Sequence, residues 1–150
     1  MTNSIHAAVE QLCQLAPDWF RYEDRRGVFP AWYAIRYVSA HTAKHTWHAI
    51  VFEDGSPYPN SDTQCIRLIV TLLALCDSRG WSSAVIFHPR LEPDLRGQAT
   101  VSSGGGFQHR CAASRIEALI ACVVGKLSAS TGGTPQPSLE QPILKGAPSR

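Results

Sequence analysis

The chain opens with apolar residues Ile5, Ala8, Val9, Leu12 and Leu15, spaced as one face of a helix. Ser4 is placed to cap that helix and Pro17 to close it. After a charged connector, RYEDRRG, the pattern changes period. AWYAIRYVSA (31–40) and HTWHAIVFEDG (45–55) are rich in aromatic and β-branched residues and flank a turn, HTAK, which predicts a β-hairpin. Alternation places Tyr33, Ile35 and Tyr37 on one face, and Trp32, Ala34, Arg36 and Val38 on the other.

Helical periodicity returns after PYPNSDTQ, where Ser61 and Gln64 form a capping-box pattern. The helix is expected to bury Cys65, Ile66, Ile69, Val70, Leu72, Leu73 and Cys76 and to stop at Arg79-Gly80. It is apolar around much of its circumference, which predicts a central position. WSSAVIFH (81–88) and GQATVSS (97–103) read as strands separated by the loop RLEPDLR, and FQHRCA (107–112) as a short fifth strand. Ser114 and Glu117 form a second capping box, opening a last helix with Ile116, Leu119, Ile120, Val123 and Leu127 on one face.

The order α-ββ-α-ββ(β)-α predicts an α+β fold, with helices packed on one antiparallel sheet of four to five strands. A single domain is expected over residues 1–129 and a flexible Pro/Gly/Ser-rich tail over 130–150. Displacing the chain by fifty residues sets Ile66, Ile69, Val70 and Leu73 on Ile116, Leu119, Ile120 and Val123. That coincidence raises a duplicated strand–strand–helix unit as an expectation.

Composition narrows the classes of function. The 150 residues are 44% apolar and 17% charged, with net charge +2 and scattered Lys and Arg, which argues against a nucleic-acid partner. No run approaches the ~20 apolar residues of a membrane span, and the N-terminus lacks the basic and apolar regions of a secretion signal. Five cysteines without a C-x-x-C pair point to a reducing, cytoplasmic setting, the host cytoplasm if the chain is phage-encoded.

The stretch VSSGGGFQHRCAASRIEAL carries the densest candidate chemistry. A Walker A loop would need Gly-Lys-Ser/Thr directly before the helix, and a dinucleotide fingerprint would need a third spaced glycine; neither is present. Gly104, Gly105 and Gly106 therefore read as a hairpin turn. A phosphatase-type thiolate loop needs five residues between Cys and Arg, and only three separate Cys111 from Arg115. What remains is an anion-holding set of Gly104, Gly105, Gly106, His109, Arg110 and Arg115 near a helix N-terminus. His41, His45 and His48 invite a zinc site, but positions 45 and 48 of a strand face opposite ways, so no metal is expected. The acidic doublets Glu23/Asp24 and Glu53/Asp54 fall in turns, and nothing nominates a catalytic mechanism or a cofactor. In the aromatic hairpin, Trp32, Arg36, Trp47 and His48 are candidates for a partner-binding face.

Tyr58, the helix after it, the Gly80-Trp81 exit, the strands that follow and the alanine-bearing last helix (Ala118, Ala121) together resemble the small phage proteins described as phage ABA-sandwich domains. The resemblance covers residues 57–127, and departs from those proteins in the glycine run and the extra N-terminal hairpin. It implies an α/β/α accessory protein of a phage or prophage with no enzymatic residues to carry over. The leading expectation is a small non-enzymatic binding protein acting through a protein partner or self-association. The alternative is a binder of a phosphorylated small molecule or nucleotide through the glycine turn and its arginines.

Overall fold

A computed structural model describes residues 5–23, 31–38, 44–53 and 56–131. Helix α1 (Ile5–Leu15) buries Ile5, Val9 and Leu12, as the spacing predicts. It ends where the Ala16 N–H bonds to the Leu12 carbonyl, one residue before Pro17, which has no N–H to continue the ladder. The N–H groups of Trp19 and Phe20 both return to the Ala16 carbonyl, and this tight turn starts strand β1 (Phe20–Tyr22). The residues read as a charged connector thus include a strand. Phe20 on its inward face is fully buried, and Tyr22 on the same face meets Tyr33 edge-on.

Strands β2 (Ala31–Val38) and β3 (His45–Phe52) form the expected hairpin, and β1 pairs antiparallel with β2. Helix α2 (Asp62–Ser78) follows, then β4 (Ser82–Phe87), a single 3-10 turn (Pro93–Leu95), β5 (Gly97–Ser103), β6 (Gly106–Ala112) and helix α3 (Arg115–Thr131). The strands form two three-stranded antiparallel sheets, β1-β2-β3 and β4-β5-β6, rather than one sheet of four to five strands. The reason lies in the patterning. Each meander carries one apolar face (Tyr33, Ile35, Ile50 and Phe52 in the first, Ala99 and Val101 in the second), and each face is buried against helices. The helices lie between the sheets in one continuous core, α2 against β2 and β3, α3 against β4, β5 and β6.

Both helix starts follow the capping pattern, with a twist at the first. Ser61 Oγ accepts from the Gln64 N–H at 3.2 Å, but the Gln64 side chain turns away from Ser61 and accepts the Val51 N–H at 2.8 Å. The cap therefore also ties α2 to the end of β3. At the other end the Trp81 N–H bonds to Cys76 and the Gly80 N–H to Asp77, with Gly80 at φ +71. This is a Schellman stop, and it requires the glycine.

Two expectations about the helices are corrected. The residues buried on α2 are Leu68, Thr71, Leu72, Leu75 and Cys76, whereas Ile66 is 60% exposed. An all-round apolar helix offers no unique face, so tertiary packing chose one. The central helix is α3, which touches α1, α2 and all three strands of the second sheet. Its Cys122 thiol donates to the Ala99 carbonyl at 3.2 Å, and a Cβ on Gly125 would lie 2.7 Å from Gln108 Oε1. Small residues on that side let α3 sit close to the sheet.

The two halves of the chain share the order βββα, but not a fixed displacement. Helices α2 and α3 start at residues 62 and 115, 53 apart, and β3 and β6 at 45 and 106, 61 apart. A fifty-residue shift sets β3 on β5, which occupy different places in their sheets. Helix α3 runs through residues 130 and 131 of the expected tail, and the rest of the tail, the proposed Ser4 cap and His41 lie outside the described residues.

Candidate functional site

The face of the first sheet turned away from the helices carries an alternating set of tryptophans and arginines. Trp32, Ala34 and Arg36 project there from β2, and Trp47, Ala49 and Val51 are their cross-strand partners on β3. Arg21 on β1 pairs with Ala34, and the Arg36 N–H bonds to the Trp19 carbonyl at 2.9 Å, which places Trp19 beside Arg36. One row across the sheet therefore reads Trp19–Arg36–Trp47. The next reads Arg21–Ala34–Ala49.

The small side chain of Ala34 decides what happens between these rows. It leaves room for Arg21 to cross β2 to Trp47, its guanidinium 3.7 Å from the ring centroid, and Ala34 is buried. The Arg36 guanidinium lies 5.1 Å from the Trp19 ring. Each such stack is worth about 0.5–1 kcal/mol near solvent. They matter here because they hold two long arginines in place. Trp19 is buried (9% exposed), while Trp47 is 41% exposed. Neither arginine is ion-paired to a carboxylate among the described residues. The result is a surface on which two guanidinium groups stack on tryptophan rings.

Of the four residues expected to bind a partner, Trp32, Arg36 and Trp47 share this face. His48 does not. It pairs with Ile35 on the opposite face, accepts or donates to Thr46 Oγ1 at 2.9 Å, and meets Tyr37 edge-on. Burial, and then the nearby Arg67 charge, lower its pKa. Arg21 and Trp19 were not singled out from sequence. Their signal was a β1 strand that a three-residue length and a charged neighbourhood concealed.

The glycine-turn residues are spread along a hairpin. Gly104 and Gly105 join the Ser103–Gly106 pair, with Gly106 at φ +134, so the glycines form the expected turn. Arg115 starts α3 at the other end of β6, roughly 20 Å away at ~3.4 Å per strand residue. His109 points to the outer face of the second sheet, and Arg110 to the inner face, beside Gln11 and Glu117. The group that meets the turn is one the sequence did not nominate: Lys126 of α3, whose Nζ donates to Ser103 Oγ at 2.7 Å and to the Gly106 carbonyl at 2.9 Å. Desolvation lowers the pKa of this buried lysine.

Among the described residues, no group of three or more His, Cys, Asp or Glu side chains is arranged to hold a metal ion, and no helix is long and apolar enough to cross a membrane. Compared with known protein families, curated proteins and solved structures, the chain matches none.

Proposed function

We propose that the protein is a non-enzymatic binding module that docks a partner protein on the Trp/Arg face of its first sheet. The observation that carries this reading is the Arg21–Trp47 stack, an exposed tryptophan clamped by a guanidinium beside a second Arg–Trp pair. Tryptophan and arginine are the residue types most enriched among energetically dominant interface positions. Side chains already held in place lose little entropy on binding. With two guanidinium groups that pair with no carboxylate among the described residues, the face suits a segment bearing carboxylates and an apolar anchor. The resemblance over residues 57–127 adds a setting, an accessory factor of a phage or prophage.

The test is cross-linking capture in the native host with three versions of the chain. The expected result is a partner captured by wild type, lost in a Trp47→Ala/Arg36→Glu variant, and kept when Phe107 on the other sheet is changed to Ser. A partner captured equally by all three overturns the assignment of this face.

A second reading, self-association, rests on a different observation. Val70, Leu73 and Ala74 of helix α2 line an open groove with Val85 of the edge strand β4, beside Asp77 and Ser83, and Ile66, one helical turn before Val70, is exposed. Strand β4, SSAVIF, has no charge or proline to discourage edge pairing. The phosphate-binding alternative is less well supported, because its glycines and Arg115 stand at opposite ends of β6 and Lys126 already engages the turn.

A further inference from the structure

The outer face of the second sheet holds a hydrogen-bonded row of three reactive side chains. His109 and Cys111 lie two residues apart on β6, so both point to that face, and Thr100 on β5 is the cross-strand partner of His109. Thr100 Oγ1 is 2.9 Å from His109 Nδ1, and His109 Nε2 is 3.7 Å from Cys111 Sγ. If Nδ1 carries the imidazole proton and gives it to Thr100, Nε2 is left as an acceptor facing the thiol. Nucleophile, base and orienting group then stand in the order that activates a thiol.

We infer that Cys111 is a thiol-modification site, primed by His109 and oriented by Thr100, that takes small disulfides by exchange. The proton passes from Sγ to Nε2, and the thiolate attacks one sulfur of a disulfide RSSR. The S–S bond breaks as the Cys111–SR bond forms, and the departing RS⁻ takes the proton from Nε2 to leave as RSH. The disulfide is the only co-reactant, and no electrons are left over.

The other cysteines sharpen the selectivity. Cys111 is the exposed one of five free thiols. Cys76 and Cys122 are fully buried, and burial holds each thiol up at about 11. Cys13 is raised to about 11 by burial and then by Glu10, and Cys65 is raised by burial and then by Asp62. Cys111 is itself exposed, and Ile86 and Phe107 are exposed on the same face of the sheet.

HRCAASR lacks the spacing of a Cys–Arg phosphate loop. A different pairing was present, H-x-C with the period of a strand.

The test is the rate of adduct formation with oxidised glutathione at neutral pH, followed by intact mass and peptide mapping. Wild type should gain one glutathione, at Cys111. His109→Gln should slow this by roughly tenfold or more, the low side of general-base assistance. Thr100→Val should slow it less, with both variants melting at the wild-type temperature. Adducts forming on Cys13 or Cys65 as fast as on Cys111, or an unchanged rate in His109→Gln, would overturn the proposal.

Discussion

Tyr58 donates its hydroxyl proton to Glu117 Oε2, joining the loop before α2 to the first turn of α3 across 59 residues of sequence. The same oxygen accepts from Ser114 Oγ at 2.9 Å, and Ser114 Oγ in turn accepts the Glu117 N–H at 3.3 Å. The second capping box is therefore also a tertiary clamp. The carboxylate that would otherwise reach back to its own cap backbone holds another segment.

The clamp sets a pH dependence. The hydrogen bond to Glu117, followed by burial and the Glu117 charge, raises the Tyr58 phenol from its ordinary value of 10 to about 12. The folded chain keeps a proton there that the unfolded chain gives up. The contribution is fully present below pH 10 and is lost as pH rises from 10 to 12. Tyr58→Phe should lower stability by about 1 kcal/mol at pH 8, since the pair is partly exposed. It should also flatten the loss of stability above pH 10. Urea melts at pH 8, 10 and 11.5 on both proteins measure this; parallel pH profiles would count against the clamp.

Gly97 and Gly105 make a matched pair for substitution. A Cβ on Gly97 would fall 2.1 Å from the Ser114 carbonyl carbon and oxygen, which are backbone atoms that cannot step aside. Gly105 has nothing nearer than 3.8 Å. Gly97→Ala should cost about 3 kcal/mol or more by overpacking the junction of β5 and α3. Gly105→Ala should change stability by less than about 1 kcal/mol. Thermal melts of the two variants check the contrast.

Lys126 gives a prediction of a different kind. It is 8% exposed, and two of its donors are taken by the β5–β6 turn. Lys126→Met keeps the aliphatic stem but leaves the Gly106 carbonyl without that donor, which should cost about 1–2 kcal/mol. The loss should be local, with amides of residues 103–106 exchanging faster while the first sheet is unchanged. Native-state hydrogen exchange reads both regions at once.

The residues explain why part of this was legible and part was not. The α3 face, the β2–β3 alternation and the glycine turn each follow from local periodicity or from one residue's backbone freedom. Ser61 and Ser114 were likewise readable as caps. Strand β1 was hidden because three residues carry too little pattern, and Trp19 and Arg21 were hidden with it. Gln64 and Glu117 were readable as cap partners, but their long-range bonds to Val51 and Tyr58 were not. The Ile66 side of α2 was misassigned because a helix apolar on every side gives periodicity nothing to choose between. Division into two sheets depends on which strands fail to pair, and no stretch of sequence states that alone.

The Trp/Arg face should separate binding from folding. Trp47 stands half in water, so Trp47→Ala removes one cation–aromatic stack and should cost about 1 kcal/mol or less. Trp19 packs into the core cluster as well as against Arg36, so Trp19→Ala should cost about 3–5 kcal/mol. Denaturant melts of the two variants give the ratio directly. Near-equal losses would mean that Trp47 serves the fold rather than a partner.

The outer side of α2 makes the last distinction. Ile66 and Leu68 are two residues apart on one helix, yet Ile66 is 60% exposed and Leu68 fully buried. A glutamate at Leu68 would bury a charge without a partner, so Leu68→Glu should prevent folding. A glutamate at Ile66 meets water in the monomer and should leave the melting temperature unchanged or raise it slightly. If two chains associate through the groove of Val70, Leu73, Ala74 and Val85, Ile66→Glu puts like charges into a two-fold contact. Light scattering should then give a dimer mass for wild type and a monomer mass for the variant at the same concentration. A wild-type chain that stays monomeric at high concentration would remove self-association and leave the first sheet as the docking surface.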